Sequence, residues 1–174
     1  MPHRLANFLA FQVAWFANVL GAANGRPWLG PLVVLAVLGV HLRHMPDPRF
    51  SARIIAVVGL IGVTVDSILG YVGILVYRDS LVAPWACPPW LITLWLALAT
   101  TLGRSLSWLA GRPGLAAVLG GVFGPVSYYA GRELGALDFG GHPVIGLMTL
   151  SVVWAMLFPL LVRIASPVGG KGGL

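Results

Sequence analysis

Hydrophobic residues along this chain gather into six long runs separated by short connections rich in Gly, Pro and Arg. The runs cover residues 5–23, 28–42, 54–77, 90–102, 115–130 and 144–164. A transmembrane helix needs roughly 20 apolar residues at about 1.5 Å rise each. Several runs are shorter, but their uncharged flanking residues bring most of them to a workable length; the fourth and fifth give the weakest signal. The pattern therefore predicts an all-α membrane protein, a six-transmembrane-helix bundle.

The composition agrees with this pattern, because 58% of the 174 residues are hydrophobic and only 9% are charged. A soluble domain carries about 25% charged residues. The six runs and their connections leave no length for a separate soluble domain, so we predict a single transmembrane domain over residues 1–166. Half of residues 167–174 are glycine and the segment has little to bury, so we predict that it forms a flexible C-terminal tail.

The basic residues predict the orientation of the helices. With six spans, the N-terminus, the loops 43–53 and 103–114 and the C-terminal tail share one side of the membrane. That side holds eight of the 11 Lys and Arg residues, and the other side holds Arg26, Arg78 and Arg132. Short cytoplasmic loops carry an excess of Lys and Arg, so we expect both termini to be cytoplasmic. The net charge of +6 then reflects topology and contact with anionic lipids, and nucleic-acid binding is not favoured.

Asp66 is the only acidic residue inside any of the six runs, and it lies near the middle of the third. An ionised carboxylate within a bilayer costs several kcal/mol, so a span that keeps one usually has a use for it. The residues that recur with Asp66 on one helical face, at spacings of three or four, are Gly59, Gly62, Gly70 and Gly73. Such a face packs against another helix. Asp66 is either a site for a proton, cation or substrate, neutral when empty, or a hydrogen-bonded carboxyl that only joins helices.

Other polar residues within the runs are candidates to accompany Asp66. Pro125 in the fifth run frees a backbone carbonyl one turn earlier and permits a kink, after which Tyr128, Tyr129 and Arg132 follow. These side chains either reach a shared cavity or end at the membrane interface of an ordinary kinked helix. We do not expect Arg132 to pair with Glu133, since adjacent residues on a helix do not face one another.

Asn18 in the first run needs hydrogen-bond partners in apolar surroundings, and Asp66 is a natural one. Bonding between helices with no further role is the alternative for Asn18. We predict one polar pocket shared by the first, third and fifth spans, with Arg132 guarding its mouth and favouring anionic ligands or headgroups. The candidate ligand-binding residues are Asp66, Ser67, Asn18, Tyr128, Tyr129 and Arg132.

Sequence motifs of enzymes and metal sites are absent. The chain has no Gly-rich phosphate loop, Ser-His-Asp set, His-Glu-x-x-His motif or Cys-x-x-Cys motif. Cys87 is the single cysteine, and His41 and His44 lie in a basic loop with only Asp47 as a nearby carboxylate. We therefore predict no catalytic residue, no metal and no cofactor, and we favour a protein that is not an enzyme.

Two features of the sequence point beyond single residues. The tripeptide Gly-Arg-Pro occurs at 25–27 and again at 111–113. With three spans in each half, the copies would lie on opposite membrane faces, as in an inverted repeat, although these are also common loop residues.

The stretch 7–31, most specifically 15–31, resembles a small bacterial inner-membrane family catalogued as domain of unknown function 2878. That resemblance covers nearly the whole chain, implies the bacterial cytoplasmic membrane, and supplies no activity or catalytic residue.

The size, the six spans and a stripe of Ala6, Ala10 and Ala14 are also similar to the substrate-binding subunits of energy-coupling-factor vitamin transporters. That likeness implies a partner membrane protein contacted through the stripe. Taken together, the sequence favours an inner-membrane protein that binds or transports a small or lipid-like ligand through a polar site near mid-membrane. The alternatives are a scaffold protein without a ligand site and, less favoured, an intramembrane lipid-modifying enzyme.

Overall fold

The six apolar runs correspond one for one to six α-helices in the computed structural model, which describes residues 2–78 and 80–166. The helices are α1 (Pro2–Ala23), α2 (Leu29–Arg43), α3 (Pro48–Tyr71), α4 (Pro89–Leu102), α5 (Pro113–Glu133) and α6 (Pro143–Ala165). Two strands, β1 (Leu75–Tyr77) and β2 (Leu137–Phe139), and a 3-10 turn at Ser107–Leu109 complete the described structure. The predicted tail 167–174 lies outside the described residues.

Length and apolar composition together distinguish three of the six helices from the others. Within the described residues, α1, α3 and α6 are long enough and apolar enough to cross a membrane. Helices α2 and α4 are also apolar, but they have only 15 and 14 residues. At about 1.5 Å per residue, helices of that length span little more than 20 Å. Helix α5 has 21 residues but does not reach the apolar composition of the other long helices, so three helices of the described structure are both long enough and apolar enough to cross a membrane.

The third apolar run is divided between a helix and a strand, where we had predicted one continuous helix. Asp47 starts α3 by accepting a hydrogen bond from the Phe50 backbone N–H at 2.9 Å. The helix ends at Tyr71 because Gly73 takes a left-handed conformation with φ of 74°, which only glycine adopts readily. The residues that follow form β1.

Strands β1 and β2 form an antiparallel ribbon that the sequence analysis did not predict. Val76 lies opposite Asp138 at the centre of the ribbon. These two residues are 62 positions apart, the same separation as Asp66 and Tyr128. The same separation of 62 residues relates Gly73 to Gly135, and both of these glycines have positive φ. The chain therefore contains two successive helix–strand–helix segments, α3–β1–α4 and α5–β2–α6, which we call the two repeats, and their strands pair with each other in the ribbon.

Helix packing divides the molecule into two units that meet along one boundary. Helix α4 packs on α1, α2 and α3, and we call α1–α4 the four-helix unit. Helices α5 and α6 pack mainly on each other and form the two-helix unit. The units are joined by the ribbon, by the stacked indoles of Trp95 and Trp154 at 4.9 Å, and by a hydrogen bond from Trp15 Nε1 to Ser127 Oγ at 2.9 Å.

Candidate functional site

Asp66 lies at this boundary and has no exposed surface. Trp95 Nε1, from α4, donates a hydrogen bond to Asp66 Oδ2 at 2.6 Å. The Tyr128 hydroxyl, from α5, donates one to Asp66 Oδ1 at 2.6 Å. Each carboxylate oxygen is thus held by a side chain from a different helix, and one of the two donors belongs to the other unit.

The ribbon and the segment before α4 cover Asp66 on one side. The Tyr77 hydroxyl of β1 donates to the Asp66 backbone carbonyl at 2.9 Å. Next to it, the Cys87 backbone N–H donates to Ser67 Oγ at 3.1 Å. Because α3 ends at Tyr71, Asp66 lies about 7–8 Å from the end of the helix, nearer to its ribbon end than the long apolar run implied.

Glycines in α3 and α5 make room for the two indoles beside Asp66. A Cβ atom added at Gly62 would overlap the Trp95 ring, and one added at Gly124 would overlap the Trp154 ring. Trp154 also contacts Tyr128 edge to face, at 6.3 Å between ring centroids. The predicted glycine face of α3 is therefore a helix contact surface, and the indoles that it receives fill the space around the carboxyl.

Two surface grooves of the described structure lie away from Asp66. The larger, about 450 Å³, runs between α5 and α6, and the other, about 390 Å³, lies at the turn between α1 and α2. Neither is lined by Asp66, Trp95 or Tyr128. In this conformation the carboxyl is enclosed by packed side chains.

The hydrogen-bond partners of the Asp66 carboxyl are neutral. Within residues 2–78 and 80–166, the ion pairs are those that Arg132 makes, and none of them includes Asp66. A buried carboxylate without a positive partner is costly, and hydrogen bonds from neutral donors offset only part of that cost. The site can therefore accept a positive charge or a proton.

Asn18 is fully buried but bonds elsewhere. Its Nδ2 donates to the Ala14 carbonyl at 2.8 Å, and its Oδ1 accepts from Thr93 Oγ1 at 3.0 Å. These bonds join α1 to α4 within the four-helix unit. The polar contact of the first helix with the fifth is made by Trp15 and Ser127 instead.

Tyr129 and Arg132 lie at the surface of the two-helix unit. Tyr129 lines the larger groove and is 43% exposed. Arg132 pairs with Asp138 at 3.0 Å and with Glu133 at 2.8 Å. Our expectation that Arg132 would not pair with Glu133 was wrong, because α5 ends at Glu133 and the two long side chains can bend towards each other there. A hydrogen bond from the Phe139 backbone N–H, together with Arg132, lowers the pKa of Asp138 below its usual range.

The structure also shows how α5 accommodates Pro125 in its interior. Pro125 cannot donate a backbone hydrogen bond to Gly121, one turn earlier. Ser151 Oγ of α6 donates to that carbonyl at 2.6 Å. This bond holds α5 and α6 together at the position where α5 lacks its own.

Part of the small-residue stripe of α1 packs against other helices of the same chain. Ala14 has no exposed surface and packs with Val34 and Ala97. Ala6, nearer the N-terminus, is exposed. Within the stripe, Ala14 is therefore already covered by α2 and α4, whereas Ala6 remains accessible.

Trp95, Tyr77 and Cys87 bond to Asp66 or Ser67, but they were not predicted as site residues. A signal for Trp95 was present, because Trp95 and Trp154 lie inside apolar runs of the sequence and not at their ends, where tryptophans of membrane proteins usually gather. A buried tryptophan N–H usually finds an acceptor, and Asp66 is the one carboxylate within the apolar runs. Tyr77 and Cys87 could not be selected, because the ribbon that brings them to Asp66 was not predicted.

Potential metal ligands do not gather in the described residues, where no group of three or more His, Cys, Asp and Glu could hold an ion. Asp79 lies outside the described residues. The sequence comparison gives the family: a profile described as "Protein of unknown function (DUF2878)" matches residues 4–160, and the chain belongs to that family. No curated protein sequence and no solved structure matches the chain.

Proposed function

We propose that the protein crosses the bacterial cytoplasmic membrane six times, with both termini cytoplasmic, and binds or moves a small or lipid-like ligand at Asp66. The observation that carries the proposal is the position of this carboxyl, fully buried between two helical units and bridging them through Tyr128. A group of this kind is expensive to bury and persists where it has a use.

The six-span topology rests on the basic residues and on the helix order. Eight of the 11 Lys and Arg residues fall on one side if every helix crosses, and omitting one helix would mix the two sides. Helix α4 is short, but the segment 80–88 before it packs alongside the end of α3, and the 3-10 turn follows it. These segments extend the path of α4 without lengthening its helix.

Ligand binding would require the two units to part at Asp66. The Trp95 and Tyr128 donors are neutral, so a ligand with its own hydrogen-bond donors or a positive charge could take their place on the carboxyl. Ser67, one residue further along α3, would join the opened site. Asn18, Tyr129 and Arg132 would border it, with Arg132 at the mouth where lipid headgroups approach.

A second candidate is a scaffold protein whose polar groups only join helices. The packing of Trp95 and Trp154 around Asp66, with neither surface groove reaching the carboxyl, favours it. In that case the exposed Ala6 end of α1 is the candidate contact for a partner membrane protein, and membrane lipids are the remaining neighbours.

Native mass spectrometry of the protein released from membranes separates these functions. For a binding protein, we expect a bound small molecule or lipid of discrete mass on the wild type and its loss in Asp66→Asn, which preserves shape while removing the charge. Asp138→Asn is the matched control, because it removes a carboxylate on the ribbon surface and should leave the bound mass in place. Equal adducts on all three proteins, or none on any, would favour the scaffold.

A further inference from the structure

We propose that Asp66 is a proton-binding site that exchanges its proton with the compartment on the ribbon side of the membrane. The inference rests on the proposed function and names the proton as a ligand of the same carboxyl. It follows from the space, the partners and the depth of Asp66.

The space around the carboxyl admits a proton and nothing larger in this conformation. Gly62 and Gly124 are in contact with the indoles of Trp95 and Trp154, and neither surface groove reaches Asp66. A metal ion or an organic cation would need these rings to move apart. A proton needs no volume, so the closed form itself can bind and release it.

The two partners of the carboxyl differ in a way that suits reversible protonation. An indole N–H can only donate, so Trp95 fixes Oδ2 as an acceptor in both states. A phenol can donate or accept, so the Tyr128 hydroxyl can donate to an ionised Oδ1 or accept from a protonated one. On protonation, an O–H bond forms at Oδ1 and the Tyr128 hydroxyl turns its own hydrogen away. Neither heavy-atom distance has to change.

Asp66 is a stronger acid than any of the groups that face it, so it is the group that binds the proton. The groups that face it are Trp95 from α4, Tyr128 from α5, Tyr77 from β1 and Cys87 from the segment before α4. From α6 the nearby stacked group is the indole of Trp154, which does not titrate. A carboxyl is a far stronger acid than a phenol or a thiol, and no cation pairs with Asp66 among the described residues.

The depth of Asp66 sets the side of exchange. It lies about 7–8 Å from the ribbon end of α3 and about 27 Å from the other end. Among the described residues, Tyr77 and the Ser67–Cys87 contact supply polar groups on the ribbon side of Asp66. The short path therefore leads under the ribbon.

Difference infrared spectroscopy of the protein in sealed vesicles tests the proposal. Vesicles whose ribbon faces outward are isolated through biotin attached to Gly141→Cys in a Cys87→Ala background, and only the outer pH is changed, from about 4 to about 9, the range over which a buried carboxyl titrates. We expect a carboxylic-acid carbonyl band at low outer pH that disappears at high outer pH. Asp66→Asn should lose the band, and Asp138→Asn should keep it. Tyr128→Phe should keep it with a shifted frequency, which provides a reading if Asp66→Asn fails to fold.

Three results would overturn the proposal. They are no Asp66-dependent band at any pH, a band that persists throughout the range, and a band that responds only to the inner pH. The proposed function is judged separately. If Asp66 does not titrate but its Asn variant still loses a co-purified mass, ligand binding stands and the proton site fails. If Asp66 titrates and no mass co-purifies with any variant, the proton site stands and ligand binding fails.

Discussion

Tyr128 donates a 2.6 Å hydrogen bond to Asp66, and the two residues occupy equivalent positions in the two helix–strand–helix repeats, 62 residues apart. The bond therefore joins the repeats to each other across the boundary between the four-helix and two-helix units. A change at either residue should affect the closure of the units more than the folding of either one.

Tyr128→Phe should destabilise the closed form by about 1–3 kcal/mol, because it leaves a buried carboxyl oxygen without its donor. The neighbouring Tyr129→Phe is the matched control, since Tyr129 is 43% exposed in the groove, and its effect should stay within about 0.5 kcal/mol. Unfolding in mixed detergent micelles measures the change in the free energy of unfolding for both variants. Equal effects of the two substitutions would contradict the role given to the hydroxyl.

Gly62→Ala and Gly124→Ala should each destabilise the protein by about 1–3 kcal/mol, because the added methyl groups overlap the indoles of Trp95 and Trp154. Gly39→Ala in α2 is the control, since a Cβ there meets nothing within 4 Å. Removing a glycine from that helix should be neutral or stabilising by up to about 1 kcal/mol. Thermal unfolding in detergent compares the three variants, and similar losses at all three positions would refute the packing argument.

Much of this arrangement was predictable from the sequence, and the reasons are physical. Six hydrophobic runs predicted six helices, because hydrophobic periodicity depends on the local sequence alone. Asp66 is the one acidic residue within the six runs, and glycines share its helical face. These two features predicted a buried carboxyl that packs against another helix. The ribbon was not predicted, because Leu75–Tyr77 is as apolar as a transmembrane span and only the conformation of Gly73 separates it from α3.

Partner choice was the other part that could not be predicted. Asn18 and Asp66 are both buried polar groups, yet Asn18 bonds Thr93 while Asp66 bonds Trp95 and Tyr128. A sequence shows which side chains need partners, but it does not show which helices are adjacent. The pairing of Arg132 with its neighbour Glu133 depends in the same way on where α5 ends.

Asp138 gives a pH-dependent signature of the ribbon. Its pKa is lowered by the Phe139 backbone N–H and by Arg132, so its contacts contribute stability above the unfolded-state pKa, and this contribution is lost as the pH falls through the lowered folded-state pKa. Arg132→Gln should move the Asp138 pKa back towards its usual range. Carboxyl chemical shifts followed by NMR during an acid titration measure it. An unchanged Asp138 pKa in the variant would show that the guanidinium does not act on it.

Cysteine accessibility tests the topology. In a Cys87→Ala background, cysteines placed at Arg26 and Gly141 should react with an impermeant maleimide added outside intact cells. Cysteines at Arg49 and Arg104 should react only after the membrane is opened. Labelling of the Arg104 position from outside would contradict the six-span orientation.

The natural Cys87 gives the most direct test of whether the site at Asp66 opens. Its thiol is buried, and its backbone is bonded to Ser67 beside the carboxyl. In detergent micelles, we predict that a small maleimide reacts with Cys87 faster than the whole protein unfolds, and that Tyr128→Phe increases this rate while Tyr129→Phe does not. Reaction no faster than global unfolding, with the same rate in both variants, would mean that the two units do not part and that Asp66 only joins helices.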